Sequence, residues 1–581
     1  MAFSLGREKS VFSTDWATSP RQYGIITERD VRIPVDDGIS LDSDIFRPDA
    51  PGRFPVILTA SPYEKAAQSE PMVPKAIDFD RAFIESGDFN FYVRRGYVFV
   101  IMNIRGTWAS DGVFANRNPD PRTIQDIYEA IEWLARQEWC DGNVGMFGVS
   151  YFAVAQKRVA VLKPPHLKCI FAPYGWTDGY RDLFYHGGIF SYGFFQAWAQ
   201  NRGAGLNIDK DLKAEMGDNA YNDAIETLRN DAEIMAVPFL ADVVENPEEG
   251  RNPMILEILI HRYNDAYHRE RAVDYSGTDQ IPAYYGADWG MFGFHMPGDV
   301  RAFENWRGPK KFVMGPPAYL DRPVYQYAWE SLRWFDYWLK GNDTKIMDEA
   351  PVKLFILGTN EWKEAEDWPV PGTRWTPFYL HKDGILSEHE FWPDDKSTTY
   401  DDSPDERGAV IFTTPPVVEN TEICGPIVLN FYGSTSDTEV LWFASLWLVE
   451  ADGAEQMLTR GWLRGSQRRL DEGASKPWKP IHAHDRREPL TPNEIYEFNM
   501  QIRPYGILLK DAQSLRLKIS SADEEKPTNF NERTSRGHLL RPVASRVTIH
   551  HNHDCPSHLL LPITRGNRIE MFFSGGVLPK M

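Results

Sequence analysis

The sequence predicts an α/β domain interrupted by a helical cap and followed by an all-β sandwich or jelly roll. Three changes of texture along the chain point to this. Strand-like apolar runs alternate with amphipathic helical stretches over residues 1–175, and this character returns over 276–347. Residues 176–275 are rich in aromatics, Asn, Asp and helix formers, without strand-like runs, and read as the cap. Residues 348–581 carry short alternating strands separated by turn residues. A chain of 581 residues exceeds what one hydrophobic core usually organises, so several domains are expected.

The elements justify this division in order. "FPVILTASPY" (54–63) and "GYVFVIMNIRG" (96–106) are apolar runs ending in polar or glycine-containing turns, as buried parallel strands do. "RTIQDIYEAIEWLARQ" places Ile124, Ile127, Ile131 and Leu134 on one helical stripe. "DGNVGMFGVS" predicts a strand running into Ser150, "YFAVAQKRVAVL" a helix leaving it, and "KCIFAPY" (168–174) the next strand. After the cap, "IPAYYGADWG" (281–290) and "KKFVMGPP" (310–317) are again strand then turn, and "YAWESLRWFDYWLKG" (327–341) is a helix. In the last third, "SLRLKISS" alternates Leu515, Leu517 and Ile519 with Arg516 and Lys518, and "PVKLFILG", "IVLNFYG" and "SRVTIHHN" are assigned to the same β-domain.

The stretch "GMFGVSYFA" (145–153) carries the chemistry. A strand that turns sharply into a helix presents the turn residue at the carboxyl edge of its sheet. Small neighbours such as Gly148 and Ala153 relieve the crowding there. The hydroxyl of Ser150 then stands over a helix N-terminus, whose N–H groups stabilise an oxyanion. The local pattern alone leaves a second reading open, in which Ser150 simply caps the helix.

Several segments together resemble one family. "EWCDGNVGMFGVSYFAVAQ" is similar to the nucleophile segment of the cocaine esterase and X-Pro dipeptidyl-peptidase-like serine hydrolases, and "SPYEK" (61–65), "RGTWASDG" (105–112) and "LRWFDYWLKG" (332–341) match further motifs in the right order. "NEWKEAEDWP" and "FYLHKDGILS" look like the segments opening that family's jelly roll. The resemblance implies an α/β-hydrolase core with a helical cap insertion and a C-terminal jelly-roll domain. It implies Ser150 as nucleophile, with the Tyr151 backbone N–H and the Tyr63 hydroxyl forming the oxyanion hole. Asp288 is the carboxylate of the segment where the family carries its acid, and a loop-capping role is its alternative.

The general base is where the chain departs from the resemblance. The family's G-P-W-x-H histidine falls in "GPPAYLDRP", at Tyr319, and no histidine lies between His295 and His381. A neutral serine is a poor nucleophile without a base in hydrogen-bond reach, and a tyrosine near its ordinary pKa of about 10 is a poor base. Three readings stay open. The base is relocated, to His295 or to His186 of "YRDLFYHGG"; or Tyr319 and Asp288 serve a lyase or isomerase step that uses the oxyanion hole; or the chain is a pseudoenzyme.

Composition narrows the partners. A formal net charge of −20 argues against nucleic acid, and no apolar stretch approaches membrane-spanning length. Cys140, Cys169, Cys424 and Cys555 form no C-x-x-C pair and read as buried residues of a reducing, cytoplasmic compartment. "TIHHNHD" (548–554) is read as structural, because neighbours on a strand face opposite sides. No P-loop, dinucleotide fingerprint or H-E-x-x-H motif occurs, so no cofactor and no metal is expected. The expectation is a hydrolase of esters, lactones or amides with a small-molecule substrate, and self-association into a homodimer is left open.

Overall fold

The structure is a computed structural model describing residues 17–69, 85–116, 118–194, 196, 205–277, 279–291, 293–316, 323–390, 392–393, 395–523 and 537–566. Apolar runs buried on both faces become the strands of one sheet. Its strands are β1 (Ile25–Pro34), β2 (Ser40–Pro48), β3 (Phe54–Ser61), β4 (Val98–Asn103), β5 (Cys140–Phe147) and β6 (Leu167–Phe171). Every residue of β4 is buried, as a central strand requires. Helix α1 (Pro121–Ala135) starts where the Asp120 side chain accepts the Thr123 N–H and Pro121 supplies the first-turn φ; it then buries Ile124, Ile127, Ile131 and Leu134. Helix α2 (Tyr151–Ala160) follows β5 and is buried along its whole length.

The cap begins differently from its expectation. The sequence showed no strand-like run there, yet Tyr185–His186 (β7) and Ile189–Phe190 (β8) pair as a small antiparallel hairpin. Gly187 and Gly188 make this possible, because both adopt positive φ at the turn. Helices α3 (Asp218–Arg229), α4 (Pro238–Glu245) and α5 (Asn252–Ile260) complete the cap as its composition suggests.

The core then resumes with β9 (Ala283–Asp288), α6 (Met296–Asn305), β10 (Lys310–Gly315) and α7 (Pro323–Lys340). The sheet order is β1-β2-β4-β3-β5-β6-β9-β10, parallel from β4 through β10. Two further strands join this sheet, which corrects the assignment of "PVKLFILG" and "NEWKEAEDWP" to the β-domain. Strand β11 (Val352–Ile356) runs parallel to β10, and β12 (Glu361–Ala365) pairs antiparallel outside it. The physical reason is the edge of β10: its open backbone groups need a partner, and the fully buried VKLFI run supplies one before the chain leaves the core.

The C-terminal unit is all β, from β13 (Arg374–His381) to a last strand over His558–Arg565 that pairs with both β13 and the long strand Thr421–Thr435. This closes an eleven-stranded sheet on itself and leaves few open edges. It docks beside the carboxyl end of β9. Trp289 donates its indole N–H to Phe355 O at 2.6 Å and packs on Gly506, where a Cβ would come within 2.5 Å of the ring. The four cysteines are free and buried. Among the described residues no helix is long and apolar enough to cross a membrane.

Cap and β-domain meet through buried polar contacts. Glu233 accepts from Arg464 at 2.5 Å and from Arg541 at 3.0 Å. Nearby, His482, from the chain of the β-domain, is buried next to Arg181 of the cap, which together push its pKa down to about 3. An imidazole held neutral in the native state but free to charge when unfolded lowers stability as pH falls below about 6.5. With His482→Gln, the slope of unfolding free energy against pH between about 6.5 and 3 should be shallower by about 1.4 kcal/mol per pH unit. Urea denaturation across that interval measures it, and an unchanged slope would mean that His482 charges in the native protein.

Candidate active site

The carboxyl ends of the parallel strands gather the residues singled out in the sequence. Ser61 ends β3 and precedes Tyr63, Phe147 ends β5 and precedes Ser150, and Asp288 ends β9, paired in register with Gly315 at the end of β10. Ligands of open α/β sheets bind at this edge. Tyr319 lies outside the described residues.

The turn at Ser150 is built from backbone constraint. Gly148 has φ +124°, and a Cβ there would lie 2.5 Å from the Phe152 Cβ, so the position requires glycine. Ser150 itself has φ +61° and ψ −124°, a conformation that strains any residue with a Cβ. The turn is held from both sides. Val149 N–H donates to Glu85 O at 3.0 Å, and Ser150 N–H donates to Tyr174 O at 2.8 Å. The Ser150 carbonyl accepts from Val154 N–H at 3.1 Å, starting α2, but its side chain makes no capping bond. A serine serving only as a cap would bond the first-turn amides and avoid positive φ. Ala153 is small because Gly175 crosses it: a Cβ on Gly175 would sit 2.8 Å from the Ala153 Cβ. Ser150 is buried, with 3% of its surface exposed.

Tyr151 is the first residue of α2, with its ring buried and its backbone N–H in the first turn of that helix. Tyr63 is half-buried, its ring centroid 6.1 Å from that of Phe152 in that same first turn. Its peptide is pinned: Tyr63 N–H donates to Ser61 Oγ at 3.1 Å, and Asn103 Nδ2 donates to Tyr63 O at 2.6 Å. Trp108 adds a bond from its indole N–H to Pro62 O at 3.0 Å. Asn103 and Trp108 were not singled out from the sequence; Trp108 lies inside the "RGTWASDG" motif and carries a strained φ of +53°.

The two histidines have different surroundings. His295 is wholly buried as the residue preceding α6, its ring stacked on Trp176 at 5.8 Å and edge-on to Tyr174 at 6.3 Å. Tyr174 is the residue whose carbonyl receives the Ser150 N–H. His186 is committed elsewhere: Nδ1 shares a hydrogen bond with His538 Nε2 at 2.9 Å, and Nε2 with Asp182 O at 3.2 Å. With both ring nitrogens engaged in protein, His186 has no lone pair to offer a hydroxyl. Burial beside His538 also holds its pKa far below the ordinary range. Asp288 is wholly buried, with Oδ1 accepting Gly290 N–H at 2.7 Å and shaping the turn after β9. In the β-domain, His550 and His551 of the "TIHHNHD" tract bond the hydroxyls of Ser434 and Thr398.

Residues 37–319 match the model of the X-Pro dipeptidyl-peptidase (S15) family, and 344–560 match that of the X-Pro dipeptidyl-peptidase C-terminal non-catalytic domain. The chain belongs to this family. Its relatives are serine hydrolases. The cocaine esterase of Rhodococcus sp. (strain MB1 Bresler) is 26% identical over 594 residues, covering 92% of this chain and 98% of that protein. The crystal structure of a CocE/NonD family hydrolase from Staphylococcus aureus superposes with a TM-score of 0.75 at 25% identity, covering 93% of this chain and 94% of that one. An α-amino acid ester hydrolase shares the fold, with a TM-score of 0.72 at 19% identity over 95% and 98% of the two chains. Family membership accounts for the α/β core, cap and closed β-domain.

Strain at the turn is testable. Ser150→Gly should be at least as stable as the natural protein, gaining about 1 kcal/mol, because relief of about 1–3 kcal/mol of backbone strain exceeds the added unfolded-state entropy. Ser150→Ala keeps the Cβ and should not gain it. Thermal unfolding of the two variants side by side decides, and equal stabilities would mean that the positive φ carries no strain.

Proposed function

We propose that this protein is a serine hydrolase that cleaves an ester, lactone or amide of a small to medium acyl group through an acyl-enzyme on Ser150. The observation that carries this reading is the strained, uncapped Ser150 at the carboxyl edge of the sheet, directly ahead of a buried helix. In the reaction, Oγ attacks the substrate carbonyl carbon and loses its proton to a base; the carbonyl oxygen becomes an oxyanion held by the Tyr151 N–H and the Tyr63 hydroxyl. Collapse expels the leaving group, which takes up a proton, and water then releases the acyl group by the same steps.

His295 is the base we assign. Its support is placement: the imidazole lies against Tyr174, whose carbonyl fixes the Ser150 backbone, and ends the loop that leaves β9 at Asp288. His186 is set aside because both of its nitrogens are engaged. Asp288 is kept as the carboxylate of the site. Tyr319 sustains the second reading, a non-hydrolytic step on the same scaffold, since it stands where the family places its base.

Short-chain p-nitrophenyl esters and a fluorophosphonate probe test the assignments. Ser150→Ala should abolish both turnover and labelling; turnover that survives would overturn the covalent route and favour the non-hydrolytic one. Tyr63→Phe should lower kcat by about 100- to 1,000-fold with KM little changed, and His295→Gln should lower kcat by at least about 100-fold. Wild-type kcat in either variant removes that residue from the mechanism.

A further inference from the structure

Among the described residues the core holds a wholly buried ion pair that neither the family motifs nor the proposed reaction uses. Lys157 Nζ donates to Asp299 Oδ1 at 2.7 Å, with side chains 1% and 0% exposed. The same ammonium donates to Gly175 O at 2.6 Å. Asp299 Oδ2 accepts Gly175 N–H at 3.0 Å, and Oδ1 lies 3.4 Å from Gly286 N–H.

Each of these contacts leads to one part of the candidate site. Lys157 stands two turns beyond Ser150 on the same face of α2. Gly175 follows Tyr174, the acceptor of the Ser150 N–H. Gly286 lies on β9 just ahead of Asp288. Asp299 is one turn beyond His295, and its own N–H donates to His295 O at 3.2 Å. Two glycines let the elements close in: a Cβ on Gly298 would lie 2.5 Å from Trp176 Cα, and one on Gly175 would lie 3.0 Å from Lys157 Nζ.

We infer that the Lys157–Asp299 pair is a positioning element of the hydrolase, holding the helix that follows Ser150 and the helix that follows His295 in one register. This rests on the assignment of Ser150 and His295 made above. No substrate reaches the pair, so it acts through those residues. Packing alone does not explain it. A buried ion pair is often no more stabilising than apolar side chains of the same volume, whereas its directional bonds select one arrangement. The groups around it extend the same network: Arg301 on α6 bonds Asp182 at 2.6 Å and Thr177 Oγ1 at 3.0 Å, and the Tyr285 ring lies 5.5 Å from Lys157 Nζ.

The test compares Asp299→Asn with the double replacement Lys157→Met/Asp299→Leu, in the full chain. Asn retains the size of the native side chain and one acceptor; the double variant leaves no buried charge unpaired, so it should fold. Both should lower kcat about 100-fold, since small displacements at a reacting centre have effects of that size. KM should stay within about threefold, fluorophosphonate acylation should slow in parallel, and the pH profile of kcat/KM should move. Folded variants with wild-type kcat, acylation rate and pH profile would overturn the inference and leave the pair a structural contact. The readings separate cleanly: wild-type turnover in His295→Gln removes the base assignment, while the acylation rate of Asp299→Asn still decides whether the pair positions Ser150.

Discussion

The carboxylate of Asp299, wholly removed from water, receives an ammonium and a backbone amide and lies within reach of another. Isolated, a charge so deep would cost several kcal/mol, and removing either partner of such a pair typically destabilises by about 3–5 kcal/mol. Burial pushes the Asp299 carboxyl up and the Lys157 ammonium down, and the charge of each partner opposes the shift of the other. What it joins is the chain after β6, strand β9 and the helices α2 and α6. These come from distant parts of the sequence, and they converge where Ser150, Asp288 and His295 lie.

The strained turn depends on that convergence. A positive φ at Ser150 persists only if its surroundings over-determine it. Here the Tyr174 carbonyl takes the Ser150 N–H on one side, and the Glu85 carbonyl takes the Val149 N–H on the other. Gly148, Ala153, Gly175 and Gly298 supply the room. The small residues around the serine therefore serve close backbone approach, and the serine is held by its main chain while its hydroxyl makes no capping bond.

The β-domain takes part in this architecture through the sheet edge. Strands β11 and β12 extend the α/β sheet before the chain departs, and Trp289, just past Asp288, is wedged between the Phe355 carbonyl and Gly506. The loop that follows β9 is thereby clamped by the β-domain, and the cap is clamped to the same domain through Glu233, Arg464 and Arg541.

Much of this was legible in the residues themselves. Runs of apolar residues mark buried parallel strands wherever they fall, because that burial depends on the run and not on its partner. The strand–Ser150–helix turn was likewise readable, since its glycine and small residues are local requirements. Partnership was not. "PVKLFILG" carries no mark of which sheet it joins, and only the open edge of β10 decided that. A lysine within "YFAVAQKRVAVL" and an aspartate after "HMPG" look like ordinary surface charges in sequence; their meeting is a long-range contact, visible only once the glycines bring α2 and α6 together. The same holds for the histidines. An imidazole is defined as partner or base by what lies across from its two nitrogens, and for His186 and His295 those neighbours come from the tertiary fold alone.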